Sequence, residues 1–228
     1  QDMKRLPGVF QARKKNGDIY FRSSVTFRGK HISLGSFATQ EEAHRTYTIA
    51  ANLLKSEIRF LPDDYRPCEL PFSKWVVLNN FKNNGLYIKT PIYLQANYFE
   101  YYLSREDVLL FDADDLFYYS SHKIMQRGRH FFVADYGMQV NIANRYGIKN
   151  YAVENRDYRF INGNPYDFRY ENIEILNRYL RGTHMSGHFL PFINTERLEG
   201  IAVNVSRPIT LFLFQVFNHP THVIRKTF

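Results

Sequence analysis

The sequence predicts an α+β fold that opens with a three-stranded antiparallel sheet packed on one helix and continues into a mixed region. Three observations carry this expectation. Asn16-Gly17 is a strong two-residue hairpin signal, because both residue types tolerate positive φ. Arg28-Gly29 supplies a second turn, and Tyr20 to Phe27 between them is rich in aromatic and β-branched residues. Thr39-Gln40-Glu41-Glu42 then forms a capping box, with Thr39 as N-cap and Glu42 at N3. Ala43, Tyr47, Ala50, Ala51 and Leu54 recur at helical spacing and give the helix one apolar face.

Alternation assigns the faces of the middle strand. Phe21, Ser23, Val25 and Phe27 fall on one side and are expected to pack on the helix. Arg22, Ser24, Thr26 and Arg28 fall on the other, open to solvent. His31 and Ser33 of the next strand, with Lys30 at its start, extend that surface, and Arg13, Lys14 and Lys15 sit near the first turn. Guanidinium and hydroxyl groups are what phosphates and base edges require. An ordinary solvated β-face has the same composition, so the residues alone leave both readings open.

The same stretch resembles the apetala/ethylene-response-factor (ERF-type) family of DNA-binding domains. The matching elements are Gly8-Val9, Gly17, Tyr20, Val25, Gly29, the Leu34-Gly35-x-Phe37-x-Thr39 run, Glu41-Glu42-Ala43, and Tyr47 with Ala50-Ala51. The resemblance implies a sheet that enters the major groove of double-stranded DNA, backed by one helix. It places Arg13, Lys14, Arg22, Ser24, Thr26, Arg28, Lys30, His31 and Ser33 at the interface. Two departures matter. Phe10 and Ala12 stand where plant members of the family carry arginines, and Ser24 and Thr26 stand where longer contact residues are common. The family's base preference therefore does not transfer.

Four segments are expected: the ERF-type module over 7–56, a linker and aromatic-rich intermediate over 57–120, a second block over 121–180, and a divergent or truncated tail over 181–228. The 228 residues suffice for one large or two modest domains. The net charge of +8 is divided unevenly, with +6 over 1–56, −4 over 57–120, +3 over 121–180 and +3 over 181–228. Two basic segments around an acidic one suit a protein that touches DNA at two places. Cys68 is the single cysteine, so no intramolecular disulfide forms and a reducing compartment is the expectation. No signal-peptide pattern is read at the start. The longest apolar run, Ile209 to Phe217, falls far short of the roughly 20 residues of a membrane span. A cytoplasmic, nucleoid-associated location and no membrane partner are expected.

In the intermediate, Leu61-Pro62-Asp63-Asp64 and Arg66-Pro67 break the preceding helix. Asn83-Asn84-Gly85 marks a turn, and Tyr98 to Leu103 reads as core. Asp112-Ala113-Asp114-Asp115 invites a calcium reading, but the glycine and distal glutamate of an EF-hand loop are missing and helix capping explains the aspartates better.

The second block contains Asn144-Arg145, then Tyr158 to Ile175 with the turn Ile161-Asn162-Gly163-Asn164-Pro165, followed by Asp167, Arg169 and Glu171-Asn172-Ile173. It resembles the HNH homing-endonuclease fold, a ββα clasp around one divalent metal. In that family the turn follows an Asp-His pair, and an earlier His-Arg pair supports the site. Here Arg159 and Phe160 occupy the first pair, and Asn144 replaces the earlier histidine beside Arg145. The lost pair would supply a metal ligand and a general base. Arginine repels a divalent cation, and phenylalanine has no lone pair. The block is therefore expected to be a degenerate HNH-like ββα domain without metal, cofactor or cleavage, adding phosphate contacts from Arg145, Arg159 and Arg169. Arg159 either faces phosphate or pairs with Asp157 or Asp167. Either way, the bland reading of Asn162 to Pro165 is a polar turn.

His184 with His188, and His219 with His222, have helical ligand spacing but lack a cysteine or carboxylate at a zinc-motif distance. Asn177 to Gly182 looks like the start of another ERF-type module, after which the resemblance stops. No phosphate loop, nucleophile elbow or dinucleotide motif is present. The leading function is a non-enzymatic double-stranded DNA-binding protein, a transcriptional regulator derived from a mobile-element HNH endonuclease. The alternatives are an endonuclease with a rearranged metal site, and a protein-interaction module with weak DNA affinity.

Overall fold

The computed structural model describes residues 6–135 and 137–177; of residue 135 it fixes the backbone alone. The tail over 181–228, its histidine pairs and the start of the second module-like segment lie outside the described residues. The fold is α+β, opening with the antiparallel sheet β1 (Val9–Arg13), β2 (Ile19–Phe27) and β3 (Lys30–Phe37) in that spatial order. The chain turns at both places, but the first turn is not the expected two-residue loop: the Lys14 amide donates to the Asp18 carbonyl at 2.8 Å, and of Asn16-Gly17 only Gly17 is left-handed, at φ 94°. Arg28 and Gly29 have φ of 47° and 76°, so both central residues are left-handed, and that twist suits a two-residue hairpin.

The pairing of β2 with β3 slips between Ser23 and Ser24: Ser23 faces Gly35, while Ser24 faces Ser33. Leu34 is the extra residue of this bulge. Gly35, at φ 147°, tolerates the distortion. The slip resets the alternation of β3. Ile32 and Leu34 are buried, and after one extra residue Phe37 again packs inward while Ser36 points out.

Helix α1 (Gln40–Lys55) covers the inner face. Its capping box is complete: the Glu42 amide donates to Thr39 Oγ1 at 3.2 Å, and the Thr39 amide donates to Glu42 Oε2 at 3.3 Å. Ala43, Thr46, Ala50, Leu53 and Leu54 are buried against the sheet residues. Thr46 joins this face because its hydroxyl is spent on the Glu42 carbonyl at 2.9 Å.

The stretch expected to begin as a linker does not behave as one. A 3-10 turn over Pro62–Asp64 is closed by Asp64 Oδ2 accepting from the Leu61 amide at 2.8 Å. Tyr65 and Leu70 are buried in the same cluster as Val25, Ile32 and Leu53. Helix α2 (Phe72–Asn84) follows and ends at left-handed Gly85. Seven consecutive residues, Trp75 to Phe81, are buried, so the helix is enclosed all round rather than amphipathic. Trp75, Leu78 and Phe81 pack on the first sheet and α1, while Val76 packs on Tyr93 and Tyr102 beyond it. Asparagines fasten the next strand: Asn80 Oδ1 accepts from the Leu94 amide at 2.9 Å, and Asn84 Nδ2 donates to the Leu94 carbonyl at 3.1 Å.

The meander β4 (Ile92–Leu94), β5 (Tyr98–Tyr102) and β6 (Val108–Asp112) leads through a 3-10 turn into α3 (Leu116–Ser121). A third sheet, β7 (Ile124–Arg127), β8 (His130–Asp135) and β9 (Met138–Asn141), precedes the hairpin pair β10 (Tyr158–Phe160) and β11 (Ile173–Ile175). One core joins them all. Phe99, Leu109, Phe111 and Tyr119 pack with Phe131, Ile142, Tyr146, Phe160 and Phe168. Leu110 in β6 also exchanges backbone hydrogen bonds with the Tyr166 carbonyl and Phe168 amide, at 2.9 and 2.8 Å.

Two expectations are corrected here. The boundaries at 56/57 and 120/121 are not edges of packing, because the intermediate is shared between two cores, one with the first sheet and one with the second block. The α-helix of a ββα clasp is also absent among the described residues 122–177. A five-residue 3-10 segment, Ile142–Tyr146, is the longest helical stretch there. No helix of the described residues is long and apolar enough to cross a membrane.

Candidate nucleic-acid interface

The face of the first sheet turned away from α1 is assembled by the strand register. Phe10 lies opposite Arg22 and Ala12 opposite Tyr20. Arg22 lies opposite Ser36, Ser24 opposite Ser33, and Thr26 opposite His31. Arg22, Thr26, His31, Ser33 and Ser36 are exposed. The Arg22 guanidinium is oriented from below, since Nε and Nη2 donate to the Tyr20 hydroxyl at 3.1 and 2.6 Å. Thr26 Oγ1 and His31 Nδ1 approach to 3.5 Å. The three strands contain no aspartate or glutamate.

Ser24 is corrected: it was expected to be open to solvent, but only 7% of it is exposed. It is a short side chain on the central strand next to the bulge, and its amide donates to the Gly8 carbonyl at 3.1 Å. Ser36, made exposed by the bulge, takes a place on this face that strict alternation had denied it. The lone glycine inside the strand, Gly35, was the available signal for that slip.

The basic residues at the two ends of the sheet differ. Arg13 and Lys14 are exposed at the β1–β2 turn, on the flank rather than in the middle of the outer face. Arg28 and Lys30, at the other turn, are directed toward the rest of the chain. Arg28 Nη1 donates to the Phe81 carbonyl at 3.3 Å, in the last turn of α2, and its guanidinium lies 4.9 Å from the Phe27 ring centroid. A cation is favoured at such a helix end, where unpaired carbonyls concentrate negative charge. Lys30 Nζ lies 5.0 Å from the Tyr87 ring centroid. Both were expected on the DNA-facing surface; both are exposed, but their charged ends are drawn to Phe81 and Tyr87 at this edge of the sheet.

The three arginines of the second block that were expected to reach phosphate, Arg145, Arg159 and Arg169, are each held by a carboxylate. Arg145 Nη2 meets Asp115 Oδ1 at 3.1 Å, with the guanidinium 3.8 Å from the Tyr118 ring centroid. Asp115 also accepts from the Tyr146 hydroxyl at 2.8 Å. Burial drives the Tyr146 phenol well above its ordinary pKa, and the neighbouring Tyr119 and Asp115 add to the shift. Arg159 pairs with neither Asp157 nor Asp167. It lies opposite Glu174 in the β10–β11 register, and Nε donates to Glu174 Oε2 at 2.6 Å. Asp157 is instead bound by Arg156 and by the Val153 amide. Alternation along β10 then turns Phe160 inward, onto Phe168 and Tyr158.

Asp167 is the hub of the turn. Arg169 grips it with two bonds, Nε to Oδ1 at 2.9 Å and Nη2 to Oδ2 at 2.7 Å, and also reaches Glu171 at 3.1 Å. Asn162 Nδ2 donates to Asp167 Oδ2 at 2.8 Å. Asn172 ties the two sides together, its Oδ1 accepting from the Asn162 amide at 2.7 Å and its Nδ2 donating to the Asp167 carbonyl at 3.0 Å. Burial pushes the Asp167 carboxyl up, but the Arg169 guanidinium and amide and the Asn162 amide group together hold it below its ordinary value. Of the aspartates considered for calcium, Asp112 accepts from the Tyr170 amide and Asp115 serves Arg145 and Tyr146. Among the described residues no group of three His, Cys, Asp or Glu side chains is arranged to hold a metal.

No protein-family model, no curated protein and no solved structure matches this chain.

Proposed function

We propose that the chain binds double-stranded DNA through the outer face of β1–β3, with the sheet in the major groove, and that it acts by occupancy, as a transcriptional regulator does, without cleaving the strands. The observation that carries the reading is the asymmetry of the sheet. One face is covered by α1, and the other presents an oriented guanidinium and short hydroxyls with no carboxylate on any of its strands. Three strands spaced about 4.8 Å apart are about 10 Å wide between the outer two. That width suits a major groove of about 12 Å and not a minor groove of about 6 Å. Arg13, Lys14 and Lys15 at the β1–β2 turn are placed to meet the flanking phosphates.

The second block supports the fold in this reading and makes few phosphate contacts. Arg145, Arg159 and Arg169 are paired with Asp115, Glu174 and Asp167. The places where the HNH resemblance calls for a ligand and a base hold Arg159, spent on Glu174, and Phe160, buried in the core.

The test is a titration of the full chain against duplex DNA over a range of salt. Log K should fall linearly with log salt, by about 0.9 in slope for each phosphate neutralised. A flat dependence overturns the DNA reading. Supercoiled plasmid incubated with magnesium or manganese should stay intact, and nicking that EDTA abolishes overturns the absence of cleavage.

A further inference from the structure

The outer face of the first sheet has an apolar edge. Phe10 on β1 is 43% exposed, although β1 lies at the margin of a face otherwise lined by Arg22, Thr26, His31 and Ser33. Phe10 is the direct cross-strand neighbour of Arg22, and Ala12 is that of Tyr20, whose hydroxyl holds the Arg22 guanidinium. An exposed phenyl ring thus lies beside an oriented fork of N–H donors. In the major groove this pair of chemistries has a matching pair of targets. The C5-methyl of thymine is the apolar feature that groove presents, and guanine N7 and O6 are the acceptors an arginine fork takes.

We infer that Phe10 is a specificity-determining residue that packs on the methyl group of a thymine, while Arg22 takes the acceptors of a neighbouring guanine. The inference rests on the DNA reading above and adds the base class to it. Cross-strand side chains on one sheet face are about 5 Å apart, which is within reach of adjacent bases. Ala12, about 6.8 Å further along β1, reaches a base about two steps on. A methyl group exists only on the major-groove edge of the pair, so the same contact fixes the groove.

The experiment uses the full chain and two duplexes of repeating dT-dG steps, each about two helical turns long. One has thymine and the other has deoxyuridine at every dT, which deletes the C5-methyl and leaves the hydrogen-bonding edge unchanged. The expected result is roughly fourfold weaker binding to the deoxyuridine duplex, the value of one buried methyl. Phe10→Ser should abolish most of that preference, and Phe10→Leu should keep it. Equal binding of the unaltered chain to both duplexes overturns the inference and leaves the DNA reading standing. An undiminished preference in Phe10→Ser overturns the assignment to Phe10. Binding to neither duplex overturns the DNA reading, and the inference with it. Phe10 is half in solvent on an outer strand, so both variants retain the inner-face core of Val9, Phe21 and Ala43.

Discussion

Arginine serves opposite purposes at the two ends of the described chain. In the first sheet, Arg22 is bonded to a tyrosine hydroxyl that orients it without neutralising it. In the second block, Arg145, Arg159 and Arg169 each close on a carboxylate within 3.1 Å. The net charges of the two segments, +6 and +3, have the same sign and concealed this difference. A charge count measures long-range attraction, whereas contact with a polyanion depends on which cations lack an internal counter-ion. Under the proposed function, Arg22 is the cation set to meet DNA, while Arg145, Arg159 and Arg169 serve the fold.

The most forceful way to break this comparison is to remove the anion from the second block. Asp167→Ala leaves the Arg169 guanidinium, only 24% exposed, without its bidentate partner. A loss of about 3 kcal/mol of stability is expected, the low end for a broken buried pair because Arg169 retains some solvent. Chemical denaturation measures it, and a loss below about 0.5 kcal/mol, the level of ordinary surface changes, would show that the pair is not a structural hub.

Arg22→Ala should do the reverse. DNA affinity should fall by about 1–3 kcal/mol, as for a lost base contact, while stability changes by no more than about 0.5 kcal/mol. An unchanged affinity in a binding titration removes the sheet from the interface.

Acid sharpens the same contrast. Asp167 and Asp157 both have folded-state pKa values below the ordinary carboxylate value, so their contribution is complete above the unfolded pKa of about 3.9 and disappears as pH falls through the folded values. Asp112 has the opposite sign, since burial raises its carboxyl above the ordinary value and its contribution is lost as pH rises. Stability should therefore fall below about pH 4, and Asp167→Asn should flatten that fall. An unaltered acid profile in that variant removes Asp167 as a cause.

The smallest effect is expected from Arg159→Ala. Its pair with Glu174 is exposed on both sides, at 54% and 41%, so stability should change by less than about 1 kcal/mol. DNA affinity should not change measurably, and a tenfold loss would return the second block to the interface.

The first module was legible because its determinants are local. Two turns, one capping box and a helical stripe each lie within a few residues; the Arg28-Gly29 turn, the box and the helix form as read, and the first turn forms at Asn16-Gly17 with a longer loop. The errors inside it came from longer range. Ser24 is covered on the central strand beside the bulge at Leu34, and the packing of a later segment across the second turn brings Phe81 to Arg28 and Tyr87 to Lys30. The second block was poorly legible for the same reason. The partner of Arg145 lies 30 residues earlier, and that of Arg159 lies 15 residues later. No spacing rule selects Glu174 over Asp157 until the β10–β11 register is known.

The sequence by itself determined the opening sheet, the positions of its turns, its helix and the places of Arg22, Thr26, His31 and Ser33 on its outer face, because φ preference, capping and alternation act between near neighbours. It also put an arginine and a phenylalanine, neither a metal ligand nor a general base, side by side at 159 and 160. Tertiary structure alone decided which cations keep their charge toward solvent. That choice depends on which carboxylates and helix ends are brought within a few ångströms, a matter of packing between segments far apart in the chain.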